Sequence, residues 1–187
     1  MGLDARVRYT KMVINKAFCE LLSEKPFHRL TLTEVCKKAE INRTTFYKYY
    51  SDINAWKEQV EMDFLSKVKS ILEESPTDDL ENVLEQTLCH IRDHAEMYLL
   101  VFSPNFESQT IDEAVSLILE KTNAEIKRFL SESGAPDYHQ KWYSYFVVYG
   151  CFGMIRCWLQ DGMTESPKDL AEYYAFRIRK SFAKNQI

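Results

Sequence analysis

The chain has 187 residues, 45% of them hydrophobic, so it is long enough to bury a hydrophobic core in one or two domains. Its formal net charge of −4 is unevenly divided. Residues 1–57 contain 11 lysines and arginines and 6 aspartates and glutamates, a net charge of +5, which leaves −9 for the remainder. This division favours a nucleic-acid-binding segment followed by a body that does not bind nucleic acid, whereas ordinary solvated helix faces would give a smaller difference.

Almost the whole chain is predicted to be helical, because glycine and proline number only five each and cluster at a few breaks. The first predicted helix, Ala5–Glu24, carries one apolar face that includes Phe18 and Leu22. We expect that face to pack against the two short helices that follow.

A second helix is predicted to begin after Thr31. Thr31 and Glu34 have the spacing of a capping box, in which each side chain bonds the backbone of the other residue. The apolar residues that follow form one stripe at helical spacing: Leu32, Val35, Cys36 and Ala39. The stripe ends at Glu40, where we expect a turn.

A third, shorter helix is predicted at Arg43–Tyr49, with Asn42 as its N-cap. Phe46 and Tyr50 fall on one side of it. The other side carries hydroxyls, a phenol and a lysine, namely Thr44, Thr45, Tyr47 and Lys48. That side has no packing purpose, but it can hydrogen-bond phosphates and base edges in the major groove of DNA.

The segment TLTEVCKKAEINRTTFYKYY resembles the DNA-binding domain of the TetR/AcrR-type transcriptional regulators. The positions that match the family pattern are Thr31, Leu32, Val35, Cys36, Ala39, Ile41, Asn42, Thr44, Thr45, Phe46, Tyr47, Tyr49 and Tyr50. The resemblance covers about a third of the chain, from Arg6 to roughly Gln59. It implies an all-α protein in which a three-helix helix-turn-helix domain is joined by a long helix to a helical effector-binding and dimerisation domain.

The resemblance also implies which residues contact DNA. Base and phosphate contacts are expected from Arg43, Thr44, Thr45, Tyr47 and Lys48, and contacts that fix the backbone register from Thr31, Asn42 and Tyr49.

Two positions depart from the family pattern. Glu40 stands where the family usually has glycine, and a left-handed backbone costs a non-glycine residue on the order of 1 kcal/mol. We therefore expect a turn of different geometry there. Ile53 stands where the family usually has a lysine that contacts a phosphate, which leaves the backbone amides after Asp52 as the phosphate donors at that helix start.

The domain boundaries are predicted at 1–52 for the helix-turn-helix domain and 53–187 for the body. In the body we expect a long helix, Ile53–Glu74, and further helices at about Asp78–Val101 and Thr110–Glu132. A last helix is predicted to start at Ser166 as N-cap and Pro167.

The predicted helix Asp137–Leu159 is apolar on all sides, which indicates burial on two faces. One stripe contains Tyr145, Val148, Phe152, Ile155 and Leu159, and the other contains Trp142, Phe146, Gly150, Gly153 and Cys157. One stripe would serve the subunit's own core and the other the same helix of a second copy, and the spacing does not decide between them. The residues predicted for the dimer interface are Tyr145, Phe152, Gly153, Ile155, Leu159, Tyr174 and Ile178.

The family resemblance implies a small-molecule cavity in the body. The candidate lining residues are Phe64, His94, Tyr98, Phe102, Phe106 and Trp142. The alternative is that these residues are plain hydrophobic core.

We expect neither an enzyme nor a metal or cofactor site. The chain lacks a glycine-rich phosphate loop and the common hydrolase and zinc-protease motifs, and Cys89, His90 and His94 do not converge on one helix face. Five cysteines without a CxxC pair and the absence of a signal-peptide pattern at residues 1–10 favour the cytoplasm. The longest uncharged apolar run, Trp142–Ile155, is too short for a membrane span.

The sequence therefore predicts a homodimeric regulator, a repressor that binds an inverted-repeat DNA operator and is relieved by an unidentified small molecule. Two alternatives stay open at this point. The first is a DNA-binding factor without small-molecule control, and the second is a helical small-molecule-binding protein that has lost DNA binding.

Overall fold

The structure is a computed structural model that describes residues 2–74, 80–132 and 137–182. Within these ranges the chain forms nine α-helices, two short 3₁₀ turns and no β-strand, so the predicted all-α class is confirmed. The helices are α1 (Gly2–Glu24), α2 (Leu32–Lys38), α3 (Arg43–Tyr47), α4 (Ile53–Glu74), α5 (Leu80–Asp93), α6 (Ala95–Val101), α7 (Thr110–Glu132), α8 (Asp137–Gln160) and α9 (Pro167–Phe182).

The chain divides into two compact units. The first contains Met1–Ser66 together with Ala95–Ile111, and the second contains Lys67–His94 together with Asp112–Ile187. The first unit thus combines the helix-turn-helix segment with most of α4 and with α6.

An aromatic cluster forms the centre of the first unit. The rings of Phe18 on α1 and Trp56 on α4 stack with centroids 3.4 Å apart, and Phe27 and Phe106 border the indole at 6.3 and 6.1 Å. The indole Nε1 donates a hydrogen bond to Asn15 Oδ1 at 2.9 Å, so the only polar atom of the ring has a partner. The cluster fixes the start of α4 against α1.

The helix predicted at Asp78–Val101 is interrupted at His94, and residues 78 and 79 lie outside the described residues. The His94 amide is shared between the carbonyl oxygens of His90 and Ile91, a tightening typical of a helix end. After this break α6 packs on α1, and Asn105 Nδ2 donates to the Leu22 carbonyl at 2.7 Å.

The second unit is built around α5 and α9, which pack along each other. Leu84, Leu88 and Ile91 on α5 are buried, and the small residues Ala171 and Ala175 on α9 are also buried, which allows close helix approach. α9 begins as predicted, because the Asp169 amide donates to Ser166 Oγ at 3.1 Å and proline follows the cap. None of the helices in the described ranges has the length and apolarity needed to span a bilayer.

Candidate nucleic-acid interface

The start of α2 is fixed by the predicted capping box. The Glu34 amide donates to Thr31 Oγ1 at 3.3 Å, and the Thr31 amide donates to Glu34 Oε2 at 3.0 Å. Lys25 Nζ adds a hydrogen bond to the Glu34 carboxylate at 2.6 Å. This bond, followed by the one from Thr31, holds the pKa of Glu34 below its usual range, so the cap carries a negative charge at the helix start.

α2 is followed by a residue with a left-handed backbone conformation, Glu40, in the turn before α3. Glu40 has φ 54°, and its amide donates to the Lys37 carbonyl at 3.3 Å while the Ile41 amide donates to the Cys36 carbonyl at 3.0 Å. These two bonds are those of a Schellman motif, the ending that glycine usually makes. The expectation of a different turn geometry at Glu40 was therefore wrong, because the glutamate adopts the left-handed conformation itself.

α3 is oriented by its cap and by its buried side. The Thr45 amide donates to Asn42 Oδ1 at 2.7 Å, so Asn42 is the N-cap as predicted. Phe46 is fully buried and Tyr50 is 8% exposed. Burial, followed by the charge of Asp63, raises the pKa of Tyr50 to about 12, so its phenol is neutral at physiological pH.

The opposite side of α3 faces solvent. Arg43, Thr44, Tyr47 and Lys48 are exposed, and Tyr47 has 54% of its surface accessible. The Arg43 guanidinium donates to Thr33 Oγ1, which links the exposed side of α3 to α2. The sequence did not identify Thr33 as the partner of Arg43, because a helical pattern does not show which exposed residue of α2 lies beside α3.

The other predicted DNA contacts lie around this face. Thr31 at the start of α2 and Asn42 before α3 are exposed, while Thr45 and Tyr49 are half-buried. The Ala55 amide donates to Asp52 Oδ1 at 2.9 Å, which caps α4 in front of the half-buried Ile53. All eight predicted DNA contacts belong to the first unit, in α3 or beside the ends of α2 and α3: Thr31, Asn42, Arg43, Thr44, Thr45, Tyr47, Lys48 and Tyr49.

Two protein-family models match this chain. One, for bacterial regulatory proteins of the tetR family, matches residues 14–55. The other, for a transcriptional regulator C-terminal region of the same family, matches residues 78–176, more than half of the chain. The chain belongs to the TetR family of transcriptional regulators.

One curated relative is the uncharacterized HTH-type transcriptional regulator YxbF of Bacillus subtilis (strain 168). It is 24% identical over 197 residues, which cover 92% of this chain and 45% of the relative. The chain therefore spans less than half of the length of that relative.

Three solved structures of regulators share the fold. The fatty acid degradation regulator FadR from Bacillus halodurans has a TM-score of 0.60 at 11% identity, covering 95% of this chain and 96% of that one. FadR from Bacillus subtilis in complex with stearoyl-CoA has a TM-score of 0.57 at 14% identity, covering 89% and 96%. A TetR regulator from Streptococcus agalactiae 2603V has a TM-score of 0.51 at 19% identity, covering 95% and 98%.

The six candidate effector residues of this TetR-family chain fall into different places. Phe64 and Tyr98 are buried in the first unit and contact edge to face, with centroids 5.7 Å apart. Phe106 belongs instead to the aromatic cluster around Trp56. The remaining three are the half-buried Phe102 of the first unit and two exposed residues of the second unit, His94 and Trp142.

α8 turns most of one predicted stripe to the core of the second unit and most of the other to solvent, with Tyr145 exposed and Gly150 half-buried as the exceptions. Val148, Ile155 and Leu159 are buried and pack inside their own subunit. The assignment of Ile155 and Leu159 to a dimer interface stays a prediction. Phe152 is half-buried. On α9, Tyr174 and Ile178 are also half-buried, and they meet α8 through hydrogen bonds from Tyr174 Oη to the Val147 carbonyl and from Tyr143 Oη to the Ile178 carbonyl.

The exposed stripe of α8 is the one that contains Trp142, Phe146 and Gly153. A Cβ atom added at Gly153 would meet nothing within 4 Å, so this glycine borders open space. Among the side chains that the structure describes on α8 and α9, the exposed large hydrophobic ones are Trp142, Tyr145, Phe146, Tyr149, Tyr173 and Phe176. We call these six residues the aromatic face.

Proposed function

We propose that this chain represses transcription by binding an inverted-repeat operator as a homodimer in the cytoplasm, and that a small molecule relieves the repression. The observation that carries DNA binding is the exposed side of α3, which is held outward by the Asn42 cap and by the burial of Phe46. Membership of the TetR family supports the same assignment.

The chemistry of α3 suits the major groove. Arg43 and Lys48 supply cations at the two ends of a helix of five residues, and Thr44 and Tyr47 supply hydroxyls between them. An arginine can bond both acceptors of a guanine edge, and a lysine binds phosphate or guanine as a point charge. A short recognition helix of this kind reads a few base pairs, so a second copy of the helix is needed for a specific site.

The aromatic face supports the homodimer. Trp142 and Phe146 are 68% and 70% exposed, and large exposed apolar surfaces in water mark partner surfaces. A second copy is the partner we propose, because the same helices can pair with themselves about a two-fold axis. Two recognition helices related in this way would read half-sites about 34–36 Å apart, or a multiple of that distance.

The second candidate function is a DNA-binding dimer that no small molecule controls. The observation that favours it is the close packing of Phe64 and Tyr98, which are 1% and 3% exposed, as expected of hydrophobic core.

One experiment tests DNA binding and dimerisation together. The purified chain is used to select duplexes from a random library, and the mass of the protein and of the complex is then measured by sedimentation. We expect an enriched inverted repeat bound by two copies of the chain. Lys48→Ala should weaken binding to it, whereas Lys69→Ala, which removes an exposed lysine from α4 in the second unit, should not. An absence of sequence enrichment would contradict the proposal.

A further inference from the structure

A surface depression of about 320 Å³ lies beside α3. Its walls come from the first turns of α1, from the turn between α2 and α3, and from α3 with the residues directly after it. The lining residues are Arg6, Tyr9, Thr10, Glu40, Ile41, Asn42, Thr45, Lys48 and Tyr49. Residues of α1, far from α3 in sequence, thus border the same surface as the proposed DNA contacts.

The polar groups of this depression suit an anion. Arg6 and Lys48 are exposed, and neither side chain has an ion-pair partner among the described residues. Tyr9, which is 63% exposed, and Tyr49 add phenol hydroxyls that can donate hydrogen bonds. A guanidinium binds a phosphate through two parallel hydrogen bonds, and an ammonium group binds it as a point charge.

The position of the depression, next to the proposed DNA-binding face, points to a phosphate of the DNA backbone as its anion. Four of the eight proposed DNA contacts also line the depression, namely Asn42, Thr45, Lys48 and Tyr49. A duplex that is bound by α3 would thus also lie close to the first turns of α1, which line the same depression. Ile41 and the ring of Tyr9 give the depression an apolar wall that a deoxyribose can contact.

Glu40 brings an opposing charge into the same place. It lines the depression, its side chain is exposed, and its φ of 54° belongs to the left-handed region. Strained residues of this kind concentrate at functional sites. A carboxylate beside two cations lowers the attraction of the depression for any phosphate.

We propose that this depression binds one phosphate of the DNA backbone, with Arg6 and Tyr9 of α1 as contacts additional to those of α3, and that Glu40 weakens this binding through its negative charge. The inference rests on the proposed DNA-binding function and extends its interface to α1. We call the depression the phosphate seat.

Binding is measured by fluorescence anisotropy on the selected operator and on a random-sequence duplex, between about 50 and 200 mM salt. Arg6→Gln should lower the affinity for both duplexes by the same factor, roughly tenfold for the loss of a charge-assisted hydrogen bond. It should also reduce the salt slope by about 0.9 for each bound subunit. Glu40→Gln should raise the affinity for both duplexes.

Two further variants serve as controls. Lys16→Gln removes an exposed cation from α1 outside the depression and should leave the salt slope unchanged. Arg6→Lys keeps the charge but loses the two-bond geometry, so it should keep the salt slope and lose part of the affinity.

The outcomes separate the two proposals. If the unmodified chain binds no duplex, the proposed function fails. If it binds and Arg6→Gln has the same salt slope as Lys16→Gln, only the phosphate seat is wrong. A loss of affinity confined to the operator would also overturn the seat, because it would make Arg6 a base contact.

Discussion

Glu40 holds a backbone conformation that glycine adopts without steric cost. A left-handed backbone costs an L-residue about 1–2 kcal/mol, and replacing Glu40 with glycine would relieve this cost. The greater flexibility of glycine in the unfolded chain offsets about 0.5–1 kcal/mol of that relief. We therefore expect Glu40→Gly to raise the free energy of unfolding by about 0.5–1 kcal/mol, measured by urea titration. Glu40→Ala is the matched variant, because it removes the carboxylate and keeps the strain at φ 54°. If Glu40→Ala raised the free energy of unfolding as much as Glu40→Gly, the removed charge, and not the relieved backbone strain, would explain the stabilisation.

His90 makes stability depend on pH. Burial, followed by the charges of Lys67 and His94, lowers the pKa of His90 from 6.5 to about 4. As the pH falls from 6.5 to about 4, the unfolded chain takes up a proton that the folded chain does not, so this contribution to stability is present above 6.5 and is lost in that window. Because the ring is only partly buried, we expect a loss on the order of 1 kcal/mol.

Urea titrations at several pH values check this expectation. His90→Gln should flatten the pH dependence of stability between pH 6.5 and 4. His94→Gln leaves the partly buried His90 ring in place and should largely retain that dependence. An unchanged pH dependence in His90→Gln would assign the effect to other groups.

At the scale of a helix, the two glycines of α8 have opposite surroundings. A Cβ atom at Gly150 would collide with Tyr174 Oη, whereas Gly153 borders open space. Overpacking of this kind costs about 1–3 kcal/mol, which exceeds the roughly 0.5–1 kcal/mol that alanine gains over glycine inside a helix, so we expect Gly150→Ala to lower the melting temperature. Tyr174→Phe removes the colliding atom, and also its hydrogen bond to the Val147 carbonyl.

A double-mutant cycle tests that collision. Gly150→Ala should cost less stability in the Tyr174→Phe background than in the unmodified chain, which gives a favourable coupling between the two changes. Additive effects would mean that α8 and α9 adjust without a collision.

Much of the helical layout could be predicted from the sequence, because its signals are local. Capping residues such as Thr31, Asn42 and Ser166 accept hydrogen bonds from backbone amides three residues further on, and they mark the starts of α2, α3 and α9. The break at His94 and the side of α8 that faces the core depend on contacts between distant segments. A helical projection of α8 shows two apolar stripes and contains nothing that chooses between them.

At the scale of the whole molecule, the aromatic face should decide the oligomeric state. We expect Phe146→Asp to yield a folded monomer in sedimentation at micromolar concentration, because a charge cannot be buried in an apolar interface without a partner. Gly153→Leu should have the same effect, since the added side chain has room in the subunit itself. Met62→Asp is the matched control, because Met62 is 65% exposed on α4 outside the aromatic face. A monomeric unmodified chain would contradict the homodimer.

Control by a small molecule requires an element that both the DNA-binding face and the ligand influence. A ligand changes DNA affinity only by binding the two states of the dimer differently, and a coupling of about 1–3 kcal/mol changes that affinity roughly 5- to 150-fold. α4 is the element we propose, because Trp56 near its start packs on α1 and Phe64 further along contacts Tyr98 of α6. A compound that enters beside Phe64 would move α4 against α1.

Phe102 offers the sharpest test of this control, because it is half-buried and its truncation disturbs the core less than truncation of Tyr98. Metabolites are screened by the rise in melting temperature that they cause, and those that bind are added to the operator complex. We expect at least one of these compounds to lower operator affinity roughly 5- to 150-fold. Phe102→Ala should reduce that response. Without the compound, the operator affinity of Phe102→Ala should stay within about twofold of the unmodified chain, as for a change outside the DNA-binding face. If Phe102→Ala instead lowers operator affinity in step with the free energy of unfolding, Phe102 belongs to the core. The DNA-binding dimer without small-molecule control is then the better description.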